Sequence, residues 1–132
     1  MEVFEEIVRR RIEEEKLFNN YLECLRKGEI VKACEFLWGS INNIAYCIGL
    51  LYGRKLGKHR EIIGFMREIA RHYGREELAR YVSSAEAIHS NFFHNWMEKE
   101  TFIEKAGEVE ILRKWLIEIL ESEISKRRRK LQ

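Results

Sequence analysis

Two stretches of this sequence carry residues whose types and spacing could do chemistry. The first, Gly53-Arg54-Lys55-Leu56-Gly57-Lys58-His59-Arg60, is the densest basic run outside the C-terminal tail. Its two glycines let the backbone turn tightly, and the chain then enters a helical pattern whose unpaired N–H groups favour an anion. Arg54, Lys55, Lys58, His59 and Arg60 could therefore hold a phosphate, or simply form a polar turn between helices. The run is not a P-loop. Its spacing is one residue short, His59 stands where Ser or Thr must follow the lysine, and no strand precedes it.

The second stretch is Ala85-Glu86-Ala87-Ile88-His89-Ser90-Asn91-Phe92-Phe93-His94-Asn95-Trp96. On a helix His89 falls about 40° from the centre of the apolar stripe and His94 about opposite it, so the two cannot share a metal within one helix. An inward imidazole needs a partner, either a structural hydrogen bond in the core or a ligand, and Glu86 one turn earlier could orient it. Asn91 lies beside it as a second polar candidate. Neither a metal site nor a cofactor is expected. Cys34 and Cys47 have no assignable base, and no Ser-His-Asp or Cys-His arrangement emerges.

The elements that must position these groups are all helical. From Glu29 to Tyr52, Ile30, Ala33, Cys34, Leu37, Ile41, Ile44, Ile48 and Leu51 share one stripe, widened by Phe36, Trp38, Ala45 and Cys47. A helix this apolar is buried on most sides. Its polar strip, chiefly Lys32, Glu35, Gly39 and Asn42, faces water or a polar partner. A first helix from Glu2 to Lys27 precedes it, with Phe4, Ile7, Val8, Phe18, Tyr21, Leu22 and Leu25 inward and Gly28 as its stop. In the middle of that helix Arg9, Arg10 and Arg11 stand four residues before Glu13, Glu14 and Glu15, a pattern that predicts a mutually neutralised, solvated face. The third helix spans His59 to Tyr73, the fourth Glu76 to Met97 with Trp96 inward, and the fifth runs from Thr101 to the basic tail. Short joints between five amphipathic helices predict an antiparallel, up-and-down, all-α bundle forming a single domain over residues 1–132.

Composition narrows the classes further. The 132 residues contain no proline and 8 glycines, and 45% are hydrophobic, enough for one core. Net charge is +2, but Lys126, Arg127, Arg128, Arg129 and Lys130 supply +5, so the rest of the chain carries −3. A nucleic-acid protein with a basic body does not divide its charge this way, and any polyanion site must be local. The tail itself reads as a solvated helix terminus or as a phosphate-binding arm that weakens with salt. Three cysteines without CxxC spacing predict reduced, buried thiols. No signal peptide is apparent, and Phe36 to Tyr52 reads as core rather than membrane span because it carries Ser40, Asn42 and Asn43. A cytoplasmic protein is expected, and its laddered charges are compatible with thermostability.

Phe36-Leu37-Trp38-Gly39-Ser40, His59, and Ala85-x-x-Ile88-His89-x-Asn91-Phe92-Phe93 together resemble the archaeal PaREP family of small helical proteins, grouped with the HEPN superfamily. The likeness covers roughly residues 20 to 120. Ile88 stands in place of the usual Leu, Phe93 in place of Tyr, and His94 where an acidic residue is common. The resemblance implies a four-helix HEPN-like core, pairing as a homodimer, and association with RNA or nucleotides. It also raises a metal-independent ribonuclease, since many HEPN proteins use Arg-x(4–6)-His. Arg54-x4-His59 and Arg67-x4-His72 fit that spacing, but two such matches lie close to chance, and neither coincides with the His89-x-Asn91-Phe92 element.

Three functions follow as expectations. The leading one is a binding module for RNA or a nucleotide, using Arg54, Lys55, Lys58, His59, Arg60, His89 and Asn91. The second is the ribonuclease, which requires His59, His72 or His89 to be accessible beside an arginine. The third is a protein-interaction module that covers a partner helix with Phe36, Trp38 and Trp115. Whether the protein is an enzyme is left open by the sequence.

Overall fold

The chain folds into five helices: α1 (Glu2–Lys27), α2 (Ile30–Leu51), α3 (His59–His72), α4 (Glu76–His94) and α5 (Lys99–Leu131). The structure is a computed structural model and describes residues 2–131. As its composition requires, α2 is the centre, and each of the other four helices packs on it. Leu37, Ile41, Ile44, Cys47 and Ile48 are completely buried there. Each of the leucine and isoleucine side chains among them contributes roughly 1.5–3 kcal/mol. Consecutive helices also pack on one another, as connections this short demand. No helix among the described residues is long and apolar enough to cross a membrane.

The first stop is the one the sequence predicts. Gly28 adopts φ +75°, and the bond from Glu29 N–H to the Cys24 carbonyl (2.9 Å) closes α1. The end of α4 is not where periodicity places it. The helix stops at His94 because Asn95 takes a left-handed conformation, φ 44°. Asn91 holds the departing strand of chain: its Oδ1 accepts the Met97 N–H at 2.8 Å, and its Nδ2 donates to Cys34 Sγ at 3.4 Å. Met97 is thereby turned into the core, while Trp96, expected inward, is left 53% exposed. Asn91→Ala strands the buried Met97 N–H and is expected to lower stability by about 1–3 kcal/mol, read as a drop in the urea midpoint. An unchanged midpoint would show that the turn does not depend on this side chain.

Two further expectations are corrected. Val8, Leu22 and Leu25 are exposed, Val8 at 57%, since α2 is the one helix whose backbone closely approaches that of α1, while α5 stays more than 8 Å away and reaches it only through long side chains. The charge run in α1 is only partly solvated. Glu14 is completely buried, bonded to Arg11, to Ser40 Oγ (2.5 Å) and to Arg113 Nε (2.6 Å) of α5. At the other terminus α5 starts two residues early and continues through Lys126–Lys130 without a breaker, its cations complementing the helix C-terminus.

Candidate anion-binding cleft

Trp38, Asn42 and Tyr46 recur every fourth residue along α2 and so line up on one face. Over that face lies a cleft of about 300 Å³, walled also by Arg10 of α1, by Leu56, Gly57 and Lys58 of the α2–α3 turn, by His59 and Ile62 at the start of α3, and by His89 of α4. The turn reaches this position by closing tightly on α2. At Gly49 a β-carbon would stand 2.8 Å from Leu56 Cδ1 and 3.0 Å from the Arg54 carbonyl, so only glycine admits the approach.

The floor of the cleft is aromatic. The Trp38 and His89 rings are stacked at 4.4 Å with an interplanar angle of 11°. His59 leans on both, 4.5 Å from His89 and 4.9 Å from Trp38. Phe93, itself mostly exposed, stands edge-on to His89 at 5.1 Å. Burial among these rings, and then the neighbouring His59, hold the His89 imidazole below its ordinary pKa, so it is neutral at pH 7. Glu86 stands 4.0 Å from His59 Nε2, and its other oxygen accepts from Arg67 at 3.0 Å. Arg67 also donates to Ser83 Oγ at 3.1 Å.

The rim is cationic and partly rigid. Arg10 lies 3.7 Å over the Tyr46 ring and donates to Asn43 Oδ1 at 3.1 Å, with Glu6 at 3.4 Å. Asn43 is itself tied to the Gly39 carbonyl at 2.9 Å. Lys58 forms no ion pair among the described residues, and its backbone N–H donates to Glu61 in the first turn of α3. A fixed guanidinium, an unpaired ammonium, an imidazole and a helix N-terminus thus converge on one volume, an arrangement suited to a phosphate.

Of the seven residues singled out in the sequence, the fold brings Lys58, His59 and His89 together here. Arg54 faces the other side of the turn, paired with Glu68 at 2.6 Å and lying over Phe65. Lys55 and Arg60 are exposed and do not line the cleft. Asn91 is completely buried and holds the α4 terminus, so it cannot meet a ligand at this surface. Neither Arg-x4-His pair forms a site: Arg67 reaches α4 while His72, about 140° around the helix, packs against Tyr73. Arg10 and Tyr46 line the cleft without having been singled out in the sequence, and Trp38, expected there to cover a partner helix, lines it too. Asn42, on the polar strip of the central helix, was the one signal of them.

The three cysteines are free and buried, the Cys47 thiol being pushed up to about 11 by burial. Among the described residues no three side chains are placed to hold a metal ion. Fold and cleft together define the class: a small all-helical bundle with an aromatic-floored, cation-rimmed site on its central helix. Residues 9–113 match the archaeal PaREP1/PaREP8 family, and the chain belongs to that family. The match spans every cleft residue and leaves the basic tail outside it. No curated protein and no solved structure matches the chain.

Proposed function

We propose that this protein binds RNA or a nucleotide by its phosphate in the cleft between α1, α2, α3 and α4. The observation that carries this reading is the convergence of Arg10, Lys58 and His59, from three separate elements, on a volume floored by Trp38 and His89. Phosphate attraction supplies the affinity and aromatic rings can stack on bases. The test is fluorescence anisotropy of a short labelled single-stranded RNA, titrated at two salt concentrations. A rise that weakens with added salt is expected. No rise at high protein concentration would set the reading aside.

A second reading, the metal-independent ribonuclease, is supported by the contact between His59 and His89. Neutral His89 would take the proton of the RNA 2′-hydroxyl as that oxygen attacks the adjacent phosphorus. His59, in the role of the general acid, would give a proton to the departing 5′-oxygen, leaving a cyclic phosphate and a free hydroxyl. In the same titration this reading predicts a slow loss of anisotropy that His89→Ala abolishes; a stable plateau over hours tells against it. The interaction-module reading finds little support, because Trp38 and Trp115 are each only 9% exposed, too little for a surface that covers a partner helix. Pairing as a homodimer is supported by exposed Val8 and Ile12 on the open side of α1. Sedimentation equilibrium is expected to give twice the 15.9 kDa chain mass, and a monomer at micromolar concentration would end that part of the reading.

A further inference from the structure

We infer that the ligand is a single-stranded RNA of several nucleotides, and that a second aromatic cleft, across the α2–α3 turn from the first and continued by the basic end of α5, binds the part of the strand lying beyond Lys58. This rests on the phosphate-binding reading above and names its substrate class. The second cleft, about 360 Å³, is walled chiefly by Tyr52, Phe65 and Tyr73, together with His72 and the Arg54–Glu68 ion pair. Tyr52 and Tyr73 stay 45% and 38% exposed, and the Tyr52 and Phe65 rings stand 6.3 Å apart, edge to face at 68°. Open rings gathered around a hollow of this size, within the roughly 300–1,000 Å³ of small-ligand sites, offer stacking faces to bases. Arg54 is neutralised by Glu68 and lies over Phe65, so it builds the wall and brings no free charge.

The free charge comes from α5. A groove of about 560 Å³ is lined there by Lys126, Arg127, Arg129 and Lys130 with Glu123. Two contacts join it to the cleft: the Arg127 guanidinium lies 5.8 Å from the Tyr52 ring centre, and the Tyr73 hydroxyl donates to Glu123 at 3.2 Å. Of the four cations only Lys126 has a carboxylate partner among the described residues, Glu123 at 3.6 Å. Arg127 Nε is covered and without a hydrogen-bond partner there, unlike the guanidinium groups of Arg10 and Arg113, which also lie over rings but are bonded. Unpaired cations beside stacking faces are the two parts a single strand requires, its phosphates meeting the first and its bases the second. A membrane surface would meet the cations too, but the aromatic side chains that anchor at one stand outward, whereas these line a hollow. Arg54 walls one cleft and Lys58 the other, so four residues separate the two, and these Cα atoms stand at most about 14 Å apart. Exposed Lys55 lies between them. A strand long enough to cross the turn holds both clefts at once, and its second contact forms at the high effective concentration of a tethered group.

The test compares the anisotropy of labelled oligouridylates of about three and about twelve nucleotides, with the native chain and with Tyr52→Ala, Arg129→Glu and Arg128→Glu, each shown folded by circular dichroism. The long strand is expected to bind at least about tenfold more tightly than the short one. Tyr52→Ala and Arg129→Glu should each remove most of that gain. Arg128→Glu should keep it, since Arg128 is the one tail cation that does not line the groove, although it carries the same charge one residue away. Salt-sensitive binding of the short strand with no gain from length, or a gain that survives Tyr52→Ala, would overturn the second cleft and leave the first intact. Equal losses from Arg128→Glu and Arg129→Glu would reduce the tail to nonspecific attraction and overturn it as well. Binding to vesicles rich in anionic lipid but to neither strand would replace RNA by a membrane surface, and binding to none of these would remove the phosphate-binding reading too.

Discussion

Glu14→Ala is expected to lose about 3–5 kcal/mol of folding stability, the largest effect of any single substitution in α1. The carboxylate is completely buried, and Arg113 meets it through both Nε (2.6 Å) and Nη2 (3.2 Å) while Ser40 donates at 2.5 Å and Arg11 closes the remaining side. Removing it leaves the Arg113 guanidinium, 16% exposed, with no carboxylate partner, while Arg11 keeps only the longer contact to Glu15 at 3.5 Å. Against a total of about 5–15 kcal/mol for a domain of this size, the loss is large. Urea denaturation at neutral pH measures it. Glu15→Ala is the control, since that side chain is 62% exposed and should shift stability by no more than about 0.5 kcal/mol. A Glu14→Ala variant within 1 kcal/mol of the native chain, by the scale set in the control, would mean that water or a neighbouring group replaces the carboxylate.

The loss has a reach beyond stability. Helices α1 and α5 never approach within 8 Å at the backbone, so only long side chains join them. Glu14 with Arg113, and Tyr21 with Glu110 at 2.5 Å, are those joints. Arg113 also stacks 3.6 Å over Phe18, so it anchors α1 by packing as well as charge. Arg10 stands one turn before Glu14 and reaches the cleft. Loosening α1 therefore loosens one cation of the phosphate site, and a weakened Glu14 contact should show in ligand affinity before the protein unfolds.

How much of this could be seen in the sequence depends on the range of the interaction. The helices of the bundle were legible because a 3.6-residue period needs only local residues, and Gly28 marks its stop by the conformation it alone adopts readily. Glu14 was not legible: within its own helix it has arginines at the expected spacing, and only Arg113, 99 residues away, reveals that the pair is buried. Asn91 likewise looks like a site residue beside His89, until the break at Asn95 turns Met97 back toward it. In the cleft, Lys58, His59 and His89 advertised themselves by type. Arg10 was hidden within a charge run and Trp38 within an apolar stripe, and Tyr46 carried no signal of its own, because which side of α2 stays open is decided by where α3 and α4 dock.

Lys58→Glu is expected to weaken binding of single-stranded RNA by at least about tenfold and to flatten its salt dependence, whereas Arg54→Glu, four residues earlier, should change little. Both substitutions reverse one charge in the same turn, so they alter net charge and long-range attraction equally. They differ in what the fold does with the side chain. Lys58 opens into the cleft beside His59, while Arg54 is drawn to Glu68 on the opposite side. Each cation that meets a phosphate on a single strand contributes about 0.7 to the slope of log affinity against log salt, so losing Lys58 should lower the slope by that amount. Titrations at several salt concentrations separate the cases. If the two variants weaken binding alike, the protein attracts RNA by overall charge, and the cleft is not where the phosphate sits. If only Lys58→Glu does so, the turn closed by Gly49 is the device that builds the site, since it sets Lys58 and His59 over the face of α2.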